Sequence, residues 1–561
     1  MKCRTILLIG SFLCAFSISF ADDFFWIDPA GGGLGDPVKW DPPATPGVDD
    51  HVFFSLPNSF LVWLQHNYTH DCLIVDGSDL TLDLNGNTYL LDGRADNNCA
   101  VIIGDEGPGA LTILEGNVLS RDLFLGRNQT DSTGRLSLSG AGTSWSGYID
   151  PDWHGFFYGN AGDAEVSVTD NASLSHGHGQ SAINSDSSAL LNVKGPDSEW
   201  FVAGYFGMSM WGDTTLNLGD GARARYGYLE MAVFPGSSAV INAAGPYRQT
   251  EVLVENWWWD PVSLFIGREG EGTINLSGST LTNFGNTVIA EYPNGRGELN
   301  INDGAWADLQ GSVAVGGSLD QPGGRGMIRI TDNPFNAEPA DLSCARQAGQ
   351  YLVIWPQGTI QMDAGTIWMD LDADSANPLD LRGGKLEGWG SIYAQVNNIS
   401  GVVAPGTMGN YWRALDLKFD YTQGPEATLK IGLRGPAQYW DYGVLAAIQP
   451  DHGQVSLDGF LDVDLWGEYI PKYDDVFVIV QGQSISGRFR NAPSRLVFEG
   501  GSFDVSYETD KVILTHFEAE PNCPAFPAAD LNKDCKVNLE DMSILASQWL
   551  TCTLVPEGFC L

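Results

Sequence analysis

One pattern constrains this chain more than any other. A short doublet, apolar-x-apolar, returns after a Gly-rich turn at Leu111/Ile113, Leu136/Leu138, Val166/Val168, Leu191/Val193, Leu216/Leu218, Val240, Ile274/Leu276, Leu299/Ile301 and Ile328/Ile330. Successive first members are 25, 30, 25, 25, 24, 34, 25 and 29 residues apart. A second series lies between them and often ends in Gly: Leu123 to Gly126, Phe156 to Gly159, Phe201 to Gly204, Leu264 to Gly267 and Ser312 to Gly316. Period-2 strands in a unit of this length predict a solenoid. Each unit holds about three short strands, so the expected fold is all-β, a right-handed parallel β-helix. Each coil would bury Val, Ile and Leu against the coils above and below, with Gly and Asn at the corners. Residues 72–341 would make about eleven coils, a stack of roughly 50 Å. A β-propeller would need blades of about 40–50 residues, which the steps do not match.

Composition agrees with many strands and many turns. Gly is 68 of 561 residues, above the ~7% usual for globular chains. The formal charge of −41 comes from 29 Lys+Arg against 70 Asp+Glu. With no strong basic patch in the sequence, a nucleic-acid partner is not expected.

Lys2 and Arg4, then an apolar run from Ile6 to Phe16, then Ser19-Phe20-Ala21 have the layout of a secretory signal peptide cleaved after Ala21. No later stretch has 18 apolar residues, so no membrane span is expected and the chain reads as secreted or cell-surface. Export permits disulfides. Cys72 and Cys99 would pair if they fall on adjacent turns. Cys523, Cys535, Cys552 and Cys560 allow three pairings, which the sequence leaves open. Cys344 is left over and reads as a buried thiol.

Segments such as Gly134-Arg-Leu-Ser-Leu-Ser-Gly-Ala-Gly-Thr-Ser-Trp145, Gly272-Thr-Ile-Asn-Leu-Ser-Gly278 and Gly297-Glu-Leu-Asn-Ile-Asn-Asp-Gly-Ala305 resemble the repeats of bacterial autotransporter-associated β-helical proteins. The likeness runs on through Gly401–Gly406, Tyr421–Gln423, Val455–Val463 and Val476–Val480, which look like the closing part of passenger-like domains. Phe25-Trp26, Trp40 and Asp49–Phe53 look like the start of such proteins. The resemblance implies a secreted scaffold. No outer-membrane β-barrel pattern follows, which departs from a self-translocating autotransporter.

Asp530-Leu-Asn532-Lys-Asp534-Cys-Lys536-Val-Asn538-Leu-Glu-Asp541 follows EF-hand spacing. Asp530, Asn532 and Asp534 would supply side-chain oxygens, Lys536 its carbonyl, Asn538 position 9 and Asp541 position 12, a set suited to Ca²⁺. Val537 would be the apolar peg, and Leu539, Met542, Leu545 and Trp549 follow at helical spacing. The segment resembles one repeat of a type I dockerin, which implies a cohesin-like or cell-surface partner. It departs in having Cys535 for the position-6 Gly, Asp for the final Glu, and no second loop. A stapled acidic turn without metal is the other reading.

The expected organisation is therefore a signal peptide (1–21), an N-terminal β cap (22–71), β-helix repeats (72–341), a passenger-like β domain (342–516), a linker (517–529) and the dockerin-like tail (530–561). No catalytic set stands out. Gly177-His178-Gly179 matches a motif of pectin-cleaving β-helices without its companions, and reads as a turn histidine. Trp257, Trp258 and Trp259 lie in the insertion behind the longest step. Adjacent strand residues face opposite ways, so at least one is expected outside, either against a polysaccharide or under a loop. Three functions fit: a non-catalytic adhesin-like scaffold contacting extracellular polysaccharide, a polysaccharide hydrolase, lyase or accessory protein assembled through the tail, and a surface-layer subunit.

Overall fold

A computed structural model describes residues 21–93, 100–148, 155–256, 261–332, 339–372, 375–406, 414–519, 528–532 and 537–548. The expected leader lies almost wholly outside the described residues. The chain divides into two compact units, Met1–Ile360 with Gly365–Leu371, and Gln361–Ala364 with Asp372–Leu561.

In the first unit the described strands stack into three parallel ladders, the architecture of a parallel β-helix. The longest strands form one: Pro108–Leu114, Thr133–Ser139, Asp163–Thr169, Ser188–Lys194, Asp213–Gly219, Ser238–Ala244, Glu271–Ser277, Arg296–Asn302 and Arg325–Thr331. Their register stacks Leu111, Leu136, Val166, Leu191, Leu216, Ile241, Ile274, Leu299 and Ile328, all buried. Each such side chain contributes about 1.5–3 kcal/mol of burial. One position differs from the sequence expectation. Ile241 holds the inward place and Val240 faces outward, because a one-residue slip exchanges the faces of a strand.

A second ladder contains Thr88–Leu91, Asn117–Ser120, Ser144–Gly147, Ser173–His176, Glu251–Val254, Thr280–Asn283, Trp306–Leu309, Asp341–Cys344 and residues 366–368. A third contains His51–Phe54, Cys72–Val75, Val101–Ile103, Leu123–Leu125, Gly155–Tyr158, His178–Ser181, Val262–Ile266, Asn286–Ile289, Val313–Val315 and Leu352–Ile354. The long strands Glu199–Met208 and Arg223–Met231 serve the second and third ladders in turn. Parallel stacking is thus present before residue 72, with Asp23–Trp26 on His51–Phe54 and Gly32–Gly33 on Ser59–Trp63, and continues past 341.

The corner after the third ladder requires a left-handed residue in coil after coil. Gly104, Gly126, Gly159, Gly267 and Gly316 take it at φ +60° to +79°, and Ala182, Ser209, Ala232 and Ala290 at φ +46° to +63°. Gly204, expected at this corner, lies inside the strand Glu199–Met208, and Ser209 turns that coil.

The outer face of the long-strand sheet carries an amide ladder. Asn217 donates to Asn192, Asn242 to Asn217, Asn275 to Asn242 and Asn300 to Asn275, each from Nδ2 to Oδ1 at 2.9–3.0 Å.

At the N-terminal end, Phe25-Trp26 pairs antiparallel with Trp40-Asp41. Trp26, Trp40, Phe54 and Phe60 pack ring against ring there. Cys72 is disulfide-bonded, and Cys99 lies outside the described residues. Cys344 is a buried free thiol, and burial pushes its pKa up.

The second unit starts as stacked parallel strands, for example Thr428–Leu433 on Phe460–Leu465. It finishes with antiparallel pairing of Phe477–Gly482 with Lys511–Ala519, Lys511–Ala519 with Gly501–Tyr507, and Gly501–Tyr507 with Arg495–Phe498. Phe517 is buried against Phe503, so the last strand takes the first three residues expected to be linker. Among the described residues no helix is long and apolar enough to cross a membrane.

Candidate functional site

The loop that ends the chain is organised by one carboxylate. The helix Leu539–Gln548 starts after Asn538, whose Oδ1 accepts from Glu540 N at 2.6 Å. Asp541, in the first turn, returns the bond: its Oδ2 accepts from Asn538 N at 2.8 Å. Asn538 caps the helix through Glu540 N, and Asp541 supplies the carboxylate half of a capping box. Asp541 Oδ1 meanwhile accepts from Leu531 N at 2.6 Å and Asn532 N at 3.2 Å. Positions 2, 3 and 9 of the expected calcium loop therefore close around position 12. The hydrogen bond from Asn538 N, followed by those from Asn532 N and Leu531 N, lowers the Asp541 pKa and keeps it ionised.

Asp530 and Asp541 are both buried, while Asn532 and Asn538 are exposed. The residue types fit Ca²⁺: Asp530, Asn532 and Asp541 are hard oxygen donors, Asn538 would act at position 9, and the ion would supply charge neutralisation and loop closure. Asp534 and Lys536 lie outside the described residues. Among the described residues no group of three or more His, Cys, Asp or Glu side chains is arranged to hold a metal.

The helix shows its apolar side to solvent. Leu539, Met542 and Leu545 are 79%, 64% and 47% exposed, and Val537, the expected peg, is exposed as well. The spacing of these residues did predict the helix, but not what covers them.

The other sequence candidates separate. Trp257, Trp258 and Trp259 lie outside the described residues. His178 sits on the strand His178–Ser181 rather than in a turn, half-buried, with Nδ1 accepting from Tyr205 N at 3.1 Å. Its neighbour His176 is fully inside the coil. His176 Nδ1 donates to His178 O at 2.8 Å, and Nε2 accepts from Trp200 Nε1 at 3.1 Å and from Tyr158 OH at 3.0 Å. Burial lowers its pKa to about 3. This is a satisfied core histidine.

Sequence reading missed a buried carboxylate on the third ladder. Glu230 accepts from Tyr205 OH at 3.1 Å, Tyr228 OH at 2.9 Å and Arg268 Nη1 at 2.7 Å, and Arg268 also reaches Glu291 at 2.9 Å. Only the repeat register could have exposed it, since Glu230 pairs with Phe265 one coil on. With both oxygens engaged it ties coils together. No family model matches this sequence, and no curated protein matches it.

Proposed function

We propose that this protein is a secreted, non-catalytic, adhesin-like scaffold. A right-handed β-helix holds glycan-contacting faces at fixed spacing, and a calcium-loaded, dockerin-like tail attaches it to a cohesin-like or cell-surface partner. The observation that carries the reading is the parallel stacking of strand on strand from His51–Phe54 through Leu352–Ile354, with register shifts only at Val202/Tyr205 and Val262/Leu264 along the third ladder. Such stacking makes a body whose outer side chains repeat at about 4.8 Å. The closed Asp530–Asp541 loop and the exposed Leu539, Met542 and Leu545 support the attachment role.

Calorimetric Ca²⁺ titration of the full, oxidised chain tests the tail. One saturable site is expected, lost in Asp530→Asn and in Asp541→Asn. Identical isotherms for parent and variants would remove calcium and leave a stapled cap.

A further inference from the structure

The register of the second ladder brings together residues far apart in sequence. Trp306 pairs with Asp341 and Asp341 with Thr366. Two residues along, Asp308 pairs with Ser343 and Ser343 with Trp368. These are outward positions, so Trp306 and Trp368 stand diagonally across three strands, about 12 Å apart at their α-carbons. Between them is a cavity of about 350 Å³ lined by Arg248, Trp306, Asp341, Ser343, Arg346 and Trp368.

The cavity has a held wall. Arg248 is a non-glycine residue at φ +60°, a conformation that costs energy unless its surroundings impose it. Its Nε donates to Gly304 O at 2.9 Å, and its Nη2 to Pro339 O at 2.9 Å and Asp341 Oδ2 at 3.4 Å. The guanidinium lies 5.7 Å from the Trp306 ring centroid and so sets the indole in place. Arg346 Nη1 donates to Asp308 at 3.3 Å.

The charges are not presented equally. The Asp341 and Asp308 side chains are 15% and 7% exposed, whereas Arg346 is 50% exposed. Asp308 lies beneath, while Arg346, Arg248 and Asp341 line the cavity. Each arginine is paired with an acid, Arg248 with Asp341 and Arg346 with Asp308, and Arg346 is the most exposed of the four, so its guanidinium is the charge an incoming ligand meets first. Indole walls suit the C–H faces of a sugar ring, and a guanidinium fork suits a carboxylate.

We infer that the cavity between Trp306 and Trp368 binds an acidic oligosaccharide, with the indoles packing on sugar rings and Arg346, backed by Arg248, engaging a uronic-acid carboxylate. The inference rests on the glycan-contacting part of the proposed function and gives it a place.

Calorimetry on the full chain with trigalacturonate, its methyl ester and polygalacturonate tests it. Saturable binding of trigalacturonate is expected, weakened at least about tenfold by esterification and by Arg346→Gln, and lost in Trp306→Ala. Arg346→Gln should melt near the parent, since Arg346 is half-exposed, so it reads binding rather than folding. No saturable binding of the trisaccharide, equal affinity for acid and ester, or an unchanged Arg346→Gln isotherm would each overturn the site. Polymer binding that survives both substitutions removes the cavity but leaves a glycan-contacting scaffold. Failure of polymer and trisaccharide alike removes both.

Discussion

Coils inside a stack and the segments that close one are built by different rules. In the middle, each coil meets a near copy of itself, and like residues stack: Leu191 on Leu216, Asn217 on Asn242, one left-handed corner on the next. Where parallel stacking stops, an open row of N–H and C=O groups would template another chain. The N-terminal end is finished by an antiparallel Trp40-Asp41 segment over a plug of Trp26, Trp40, Phe54 and Phe60. The second unit ends on antiparallel strands around Phe477, Phe503, Phe498 and Phe517. Repetition supplies the register inside. Aromatic volume and reversed strand direction stop it.

The largest effect should come from the plugs. Trp40→Ala and Phe503→Ala each remove a fully buried ring and should cost about 3–5 kcal/mol in urea unfolding. They should also raise self-association in light scattering, because an end is loosened. A mid-coil substitution such as Leu216→Ala should cost about 2–5 kcal/mol without that association. If it associates equally, the ends have no special role.

Acid separates the regions next. Burial is the main cause that lowers His70 to about 4 and His176 to about 3, His70 near the N-terminal end and His176 mid-coil. The unfolded chain binds these protons near pH 6.5, while the folded chain does not until pH 4 or below. Stability therefore falls as pH drops from about 6.5 to about 4, by on the order of 3 kcal/mol for each histidine. Denaturant melts at pH 7, 5 and 4 check the slope, and a flat profile would contradict burial of the neutral rings.

The smallest contrast lies within the corners. A Cβ on Gly267 would meet Arg296 O at 1.8 Å, so Gly267→Ala should destabilise by about 2 kcal/mol or more. Ala290 already occupies the same corner at φ +62°. There Ala290→Gly relieves the left-handed cost but frees the unfolded chain, and should stay within about 1 kcal/mol of the parent. Paired thermal melts read the difference.

Much of the coil was legible because its core is periodic. Eight of the nine doublet first members fall on the inward ladder, and the exception, Val240, fails where Ser-Ala-Val-Ile-Asn-Ala offers apolar residues on both faces. Gly204 misled because two strands fuse across the expected corner in that coil. The tail helix was legible from spacing, but the capping of its first turn by Asn538 and Asp541 was not. The Trp306–Trp368 cavity was not. Its residues lie on strands and turns up to 120 positions apart, and only the register shows which outward side chains become neighbours. The asparagines were visible in the repeat, but their bonding depends on the same register.

That row of asparagines has a directional consequence. Asn217, Asn242, Asn275 and Asn300 each give an N–H toward the lower-numbered neighbour, and Asn192 accepts the last bond, so the row runs in one direction. No single amide can rotate without leaving two like groups face to face, so the row switches as a whole or not at all. The sense of the chain leaves a buried, unmatched oxygen at Asn300, beside the rung of Arg329. The coil thus carries an arrow along its stack, written in side chains rather than in the backbone, and a substitution at Asn242 would break it into two shorter arrows.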